Sequence, residues 1–193
     1  MCETKNFYCW ALQFLALLGL LALCLWLALR PKDPVYTIVD INIPKSDLED
    51  GANNGSILYA LQIENRNKDS SIFYDETVLT FLYGSDSVGE KHIPAFHQGR
   101  GKTRQVIDYV DVNARVWKTI RKSLLNATAE LKVALLSRVR YKTWGVKSKH
   151  HGLDLQGKLS IGSDGKISGK KKRIKLGHSS KKWRRSNSRR LLD

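Results

Sequence analysis

The hydrophobic pattern divides the chain into one long apolar run and a series of short alternating segments. Residues 8–29 read YCWALQFLALLGLLALCLWLAL and carry no charged side chain. At 1.5 Å rise per residue this run makes a helix about 33 Å long, enough to cross a hydrocarbon core of about 30 Å. Since a backbone in lipid must satisfy its own hydrogen bonds, the run predicts a single transmembrane helix after a short segment, 1–7.

Two other interpretations of this run fit less well. A cleaved signal peptide has a positive n-region and an apolar core of about 7–15 residues, whereas this run is longer and follows a single basic residue, Lys5. A buried core helix at a terminus would need a partner of similar kind. Pro31 and Pro34 follow the run and disfavour helix in the residue before each. Residues 30–34 therefore form a linker.

Beyond the linker, apolar and polar residues alternate in short segments, as they do in half-buried β-strands. The segments are 35–43, 56–64, 72–74, 77–83, 89–96, 103–110, 127–143 and 146–161. Turn residues separate them at a spacing of about ten residues. This pattern predicts an all-β domain over residues 35–163, an antiparallel sandwich of about seven strands.

Individual segments allow finer predictions. In 35–43 the alternation places Val35, Thr37, Val39, Ile41 and Ile43 on one face. In 56–64 it places Ile57, Tyr59, Leu61 and Ile63 on one face. The segment 127–143 is either one long bent strand or two strands joined near Ser137.

Residues 113–125 have a helical period instead. Val116, Ile120 and Leu124 recur every four residues, and Asn113 is a suitable N-cap. The sequence therefore predicts one short amphipathic helix packed against the sheets.

Charge separates the end of the chain from the rest. Net charge is +15, and residues 165–193 hold twelve of the 33 Lys and Arg against one acid. Beyond Gly169 there is no apolar period, and residues 164–193 are predicted to form a basic disordered tail. The candidate polyanion-binding residues of this tail are Lys170, Lys171, Lys172, Arg173, Lys175, Lys181, Lys182, Arg184, Arg185, Arg189 and Arg190.

A basic tail of this kind has three possible partners. It could bind nucleic acid, anionic membrane lipid or an extracellular polyanion such as an acidic polysaccharide. A membrane anchor argues against nucleic acid, so none is expected. The choice between the other two depends on which side of the membrane the domain occupies.

Modification sites bear on that choice. Cys2 and Cys9 are placed for S-acylation near the membrane face, and Asn54 and Asn126 begin the glycosylation sequons NGS and NAT. The sequons favour a domain outside the cell. The flanking charges, Lys5 before the helix against Arg30, Lys32 and Lys45 after it, mildly favour a domain inside.

Sequence motifs for catalysis or metal binding are missing. None of the five histidines has a metal-ligand spacing with cysteine. Gly101-Lys102-Thr103 ends like a phosphate-binding loop, but Phe96 stands where the first glycine of that motif is required. We therefore expect no enzyme activity, no metal and no cofactor.

A family resemblance begins at residue 65. The stretch NRNKDSSIFYD resembles the Asn-Pro-Asn…Ile-x-Tyr-Asp signature of plant non-race-specific disease resistance and harpin-induced-like proteins, whose domain is the type-two late-embryogenesis-abundant domain. AFHQGRGKT resembles a second family segment, and a late Tyr-Lys-x-Trp run also fits. Arg66 replaces the family's proline. The residues that carry these two motifs are Asn65, Asn67, Tyr74, Asp75, Phe96, Gln98 and Thr103.

The resemblance implies more than the pattern does. It implies a fibronectin-III/immunoglobulin-like sandwich, a plasma-membrane or plasmodesmal location with a cytoplasmic N-terminus and an extracellular domain, and a role in defence or stress. Function would come from binding membrane lipid, a cell-wall polyanion or a membrane-associated protein. Two alternatives remain: a cytosol-facing tethered module whose tail binds anionic lipid, and a dehydration protectant without a specific partner.

Overall fold

The computed structural model of the chain describes residues 3–28, 30–48, 54–126, 128–169 and 172–179. It divides into two compact units, Met1–Lys32 and Asp33–Asp193. The first contains helix α1 (Glu3–Ala28), and its Phe7–Trp26 stretch is long and apolar enough to cross a membrane. The predicted N-terminal apolar helix is thus confirmed, although Leu29, its predicted last residue, lies outside the described residues.

The second unit is built almost entirely from antiparallel strands. Its elements are β1 (Val35–Asn42), α2 (Lys45–Leu48), β2 (Gly55–Glu64), β3 (Ser70–Tyr74), β4 (Thr77–Tyr83), β5 (Asp86–Ile93), β6 (Phe96–Gln98), β7 (Thr103–Val112), α3 (Ala114–Asn126), β8 (Thr128–Thr143), β9 (Val146–Lys147), β10 (His151–Gly162), β11 (Ile174–Lys175) and β12 (Gly177–His178). One sheet has the order β11-β1-β2-β7. The other has the order β12-β10-β8-β3-β6, with β4, β5 and β9 attached.

The two sheets share one hydrophobic core. Tyr36 of β1 meets Tyr74 of β3 edge-on with ring centroids 6.4 Å apart, and Tyr59 of β2 lies 5.6 Å from Phe81 of β4. The predicted all-β class is confirmed. The described residues form twelve strands, not about seven, because β6, β9, β11 and β12 are too short to show an alternating period. The finer fibronectin-III/immunoglobulin-like assignment stays a prediction.

Most of the long elements match their predictions. The core face of β2 is the predicted one, and α3 buries Trp117, Ile120 and Leu124. The backbone amide of Arg115 donates to Asn113 Oδ1 at 3.1 Å, which confirms the N-cap. The segment 127–143 is one strand, β8, which pairs with β10 along one edge and with β4 and β3 along the other.

The predicted face of β1 is wrong for its first half. Tyr36 and Ile38 are fully buried, whereas Val35, Thr37 and Val39 are only half-buried. A register shift between Ile38 and Asp40 inserts an extra residue, which moves the buried positions to Ile41 and Ile43. A β-bulge of this kind reverses the alternation within one strand.

The prediction of a disordered tail from residue 164 is wrong for residues 172–179. Strand β11 pairs with β1, and β12 pairs with β10, so this segment crosses from one sheet to the other. Leu176 lies between the two strands with 3% of its surface exposed, and its amide donates to the carbonyl of Tyr36 at 2.9 Å. The basic segment therefore begins as part of the sandwich.

The Leu176→Ala substitution tests this correction. It removes a buried side chain between the sheets, so we expect it to lower the free energy of unfolding by about 2–3 kcal/mol. The matched control is Leu125→Ala, at a leucine that is 61% exposed, with an expected effect of about 0.5 kcal/mol or less. Urea titration of the full chain in detergent, followed by circular dichroism, gives both values. Equal stabilities would show that residues 172–179 contribute nothing to the fold.

Candidate functional site

The strand directions give the sandwich two different ends. Asp33 lies at one of them, where the chain enters β1, and Tyr141 near the end of β8 donates its hydroxyl to Asp33 Oδ1 at 2.8 Å. Loops 65–69 and 99–102 lie at the same end, since Val35 pairs with Glu64 and Glu64 with Thr103. We call this the Asp33 end: Asp33, the two loops, and the turn between β8 and β9.

The opposite end carries both sequons. Asn54 immediately precedes β2, and Asn126 is the last residue of α3. Both side chains are exposed. Strand β1 also finishes here, because the amide of Ile43 donates to the carbonyl of Gly165 at 2.9 Å. We call this the Asn54 end.

The buried amide of Asn65 joins the two loops of the Asp33 end. Its Nδ2 donates to the carbonyl oxygens of Ser70 and Gly99, each at 2.9 Å. Its Oδ1 accepts from the backbone amide of Asn67 at 3.0 Å and from Asn67 Nδ2 at 2.9 Å. The amide of Gly101 also donates to the carbonyl of Asn67 at 3.0 Å. Loop 65–69 is thereby held against loop 99–102.

A second buried polar side chain, that of Gln98, bonds the backbone next to the same loops. Gln98 Nε2 donates to the carbonyls of Ile63 and Lys102 at 3.0 and 2.7 Å. Its Oε1 accepts the hydroxyl proton of Tyr74 at 2.7 Å. Phe96 stacks on the Tyr74 ring with centroids 4.3 Å apart. Gln98 and Tyr74 therefore fix the backbone on which the two loops are built.

The remaining motif residues lie at the margins of this network. Thr103 is exposed and opens β7 opposite Glu64. The amide of Asp75 donates to the carbonyl of Arg138 at 2.9 Å. Its carboxylate lies 3.5 Å from Arg140 and 3.4 Å from His150. Both residues thus have local structural roles.

The ordered loops present positive charge. Arg66, Lys68, Arg100 and Lys102 are all exposed, against one exposed acid in these loops, Asp69. Arg66, which replaces the family's proline, lies 3.0 Å from Glu64, and its hydrogen bond to that carboxylate raises the pKa of the guanidinium. Sequence reasoning missed these four cations as a group because they lie on two loops more than 30 residues apart in sequence.

Burial also perturbs the core tyrosines. Removal from water raises the pKa of Tyr36, Tyr59, Tyr74 and Tyr141. For Tyr141 the hydrogen bond to Asp33 adds to that rise in pKa. All four rings lie in the core between the sheets, so the shifts reflect packing. Among the described side chains, no group of three His, Cys, Asp or Glu residues could hold a metal ion.

The other predicted site residues are scattered. Cys9 is an exposed thiol on α1, whereas Cys2 lies outside the described residues. Lys172, Arg173 and Lys175 are exposed. The candidate polyanion-binding residues that lie outside the described residues are Lys170, Lys171, Lys181, Lys182, Arg184, Arg185, Arg189 and Arg190.

Comparison with known proteins identifies the class to which this architecture belongs. The family profile of the late embryogenesis abundant proteins, LEA_2, matches residues 60–157. Protein NDR1 of Arabidopsis thaliana is 28% identical over 176 residues, which cover 86% of this chain and 79% of that protein. NDR1/HIN1-like protein 2 of the same plant is 26% identical over 140 residues, which cover 65% and 55%. The chain belongs to the late embryogenesis abundant LEA_2 family, and within it to the NDR1/HIN1-like proteins.

Other relatives are more distant or lack an assigned role. An uncharacterized Arabidopsis thaliana protein is 30% identical over 151 residues, covering 74% of this chain and 68% of that one. A solution structure from the same plant has a TM-score of 0.46 at 14% identity, covering 69% of this chain and 83% of that one. The solution structure of a putative late embryogenesis abundant protein has a TM-score of 0.38 at 15% identity, covering 68% and 72%.

The Asn65→Ala substitution tests the role of the buried amide. It leaves the carbonyls of Ser70 and Gly99 without their donor, so we expect a loss of about 2–4 kcal/mol in the free energy of unfolding. Faster hydrogen exchange at the Gly101 amide should accompany that loss. Lys68→Ala, at an exposed position of the same loop, is the control and should change neither quantity. If the two variants behave alike, Asn65 does not hold the loops.

Proposed function

We propose that this protein is a non-enzymatic single-pass protein of the plasma membrane that presents its sandwich outside the cell and acts by binding in defence or stress responses. The family supports the biological role, and the apolar α1 supports the anchor. The N-terminus is then cytoplasmic. The plasmodesmal location remains a prediction.

The placement of the sequons is the observation that carries the orientation. Asn54 and Asn126 are exposed and both lie at the end of the sandwich opposite Asp33. Asp33 follows Ala28, the last residue of α1, by five residues in the chain. The Asp33 end is thus the end at which the chain enters the sandwich from the anchor, and the sequons lie at the opposite end.

Polyanion binding is the contact that the charges favour. Residues 172–179 run toward the Asp33 end, where His178 Nε2 lies 3.7 Å from Asp33 Oδ2. Six further Lys and Arg follow Ser179 in the sequence, and Lys170 and Lys171 precede this segment. Anionic lipid headgroups are the polyanion that the membrane anchor favours, and a cell-wall polysaccharide is the alternative source of negative charge.

Glycosylation of the two sequons tests the orientation. Expressed in plant cells, the wild-type chain should lose apparent mass on glycosidase treatment, and Asn54→Gln and Asn126→Gln should each remove part of that shift. Ser85→Asn is a positive control, because it creates an acceptor sequence with Asp86 and Ser87 at the exposed β4–β5 turn. A membrane-inserted chain that shows no shift, even with Ser85→Asn, would contradict an extracellular domain and favour the cytosol-facing alternative.

A further inference from the structure

The turn between β8 and β9 has an unusual tip. Trp144 and Gly145 form it with φ values of +50° and +88°, a conformation that favours Asn or Gly and that bulky residues rarely adopt. Trp144 is 69% exposed and Val146 is 74% exposed. Tryptophan is unfavourable in this backbone conformation, and here its side chain does not pack in the core. Such an outlier indicates that the side chain contacts something outside the domain.

This hairpin is firmly held at the Asp33 end. The amide of Ser148 donates to the carbonyl of Tyr141 at 2.8 Å, and the amide of Tyr141 donates to Ser148 Oγ at 3.0 Å. The Tyr141 hydroxyl in turn bonds Asp33. The exposed indole is therefore displayed on an ordered support at the end of the sandwich where the chain enters from α1.

The charged residues within the hairpin and the residues that follow it are all basic. Lys142, Lys147 and Lys149 flank the tip, and no acidic residue lies between positions 139 and 153. Lys147 Nζ lies 5.1 Å above the Phe73 ring, which holds this cation beside the tip. Loops 65–69 and 99–102, described above, add four exposed cations and one exposed acid, Asp69, at the same end.

We propose that the Trp144 hairpin, residues 142–147, binds the headgroup interface of an anionic bilayer. Indole rings prefer the interface between hydrocarbon and water, and each nearby lysine adds about a fivefold preference for an anionic surface. The hairpin would then give the sandwich a membrane contact of its own, in addition to the anchor α1. This inference rests on the anchoring part of the proposed function, and it applies on either side of the membrane.

The test uses the full chain reconstituted into vesicles of phosphatidylcholine with and without phosphatidylserine in both leaflets. Cys2, Cys9 and Cys24 are first replaced by serine. A nitroxide is then attached through Val146→Cys at the tip or, as the control, through Ser85→Cys at the Asn54 end. Collision of each nitroxide with oxygen, which concentrates in lipid, is compared with collision with a water-soluble nickel complex. We expect the label at 146 to favour oxygen with phosphatidylserine present, and the label at 85 to favour nickel throughout.

Two sets of variants separate lipid contact from simple tethering. Trp144→Asn suits the positive φ and so should keep the thermal stability of the hairpin, yet it should abolish the oxygen preference at 146. The pair Lys142→Gln and Lys147→Gln should lower the ratio of docked to undocked domain about 25-fold. The matched pair Lys118→Gln and Lys122→Gln, on α3 at the Asn54 end, should leave it unchanged.

Three results would overturn the inference. The label at 146 could be as exposed to nickel as the label at 85, or Trp144→Asn could leave its exposure unaltered. Protection of position 146 from both reagents would indicate self-association instead of lipid contact. Failure of the anchor itself would be recognised separately, because the protein would then not float with the vesicles.

Discussion

The buried side-chain amide of Asn65 is the group on which the arrangement of the Asp33 end depends. All of its hydrogen-bonding capacity is spent on backbone and side-chain partners in two loops, and it lies fully out of water. A buried amide is costly unless every bond is made, so the loops are confined to the one geometry that makes them. Gln98 and Tyr74 extend the same constraint into the core. The cations on those loops are consequently presented at defined positions.

With the loops fixed in this way, the two ends of the sandwich differ more than the arrangement of the strands alone would make them. One end holds the chain entry at Asp33, the basic loops, the exposed Trp144 and His178 of β12. The other end holds α3 and both sequons.

Sequence reasoning predicted the elements that have long periods. The buried face of β2 follows from alternation and is confirmed. In α3 the four-residue repeat is confirmed at Ile120 and Leu124, whereas Val116 is half-buried and Trp117 is buried beside it. It failed at β1, where one inserted residue near Val39 reverses the alternation. It also failed at β11 and β12, because strands of two residues show no period. The buried apolar residue between them, Leu176, stands between Lys175 and Gly177 in the sequence and gives no pattern.

The candidate site was recognised in part. The motif residues were found through their resemblance to a family, but sequence could not reveal that Asn65 and Gln98 order backbone carbonyls from distant loops. Trp144 was noted within a run and not as an exposed tip, because the positive φ and the hydrogen bond from Tyr141 to Asp33 belong to the fold.

Protease protection of the full chain in sealed membrane vesicles tests the central claim most directly. In endoplasmic reticulum vesicles, whose lumen corresponds to the cell exterior, the account predicts that added protease leaves a fragment containing residues 33–193 intact until detergent opens the vesicles. Digestion of that fragment in sealed vesicles would place the domain on the cytosolic side and contradict the account.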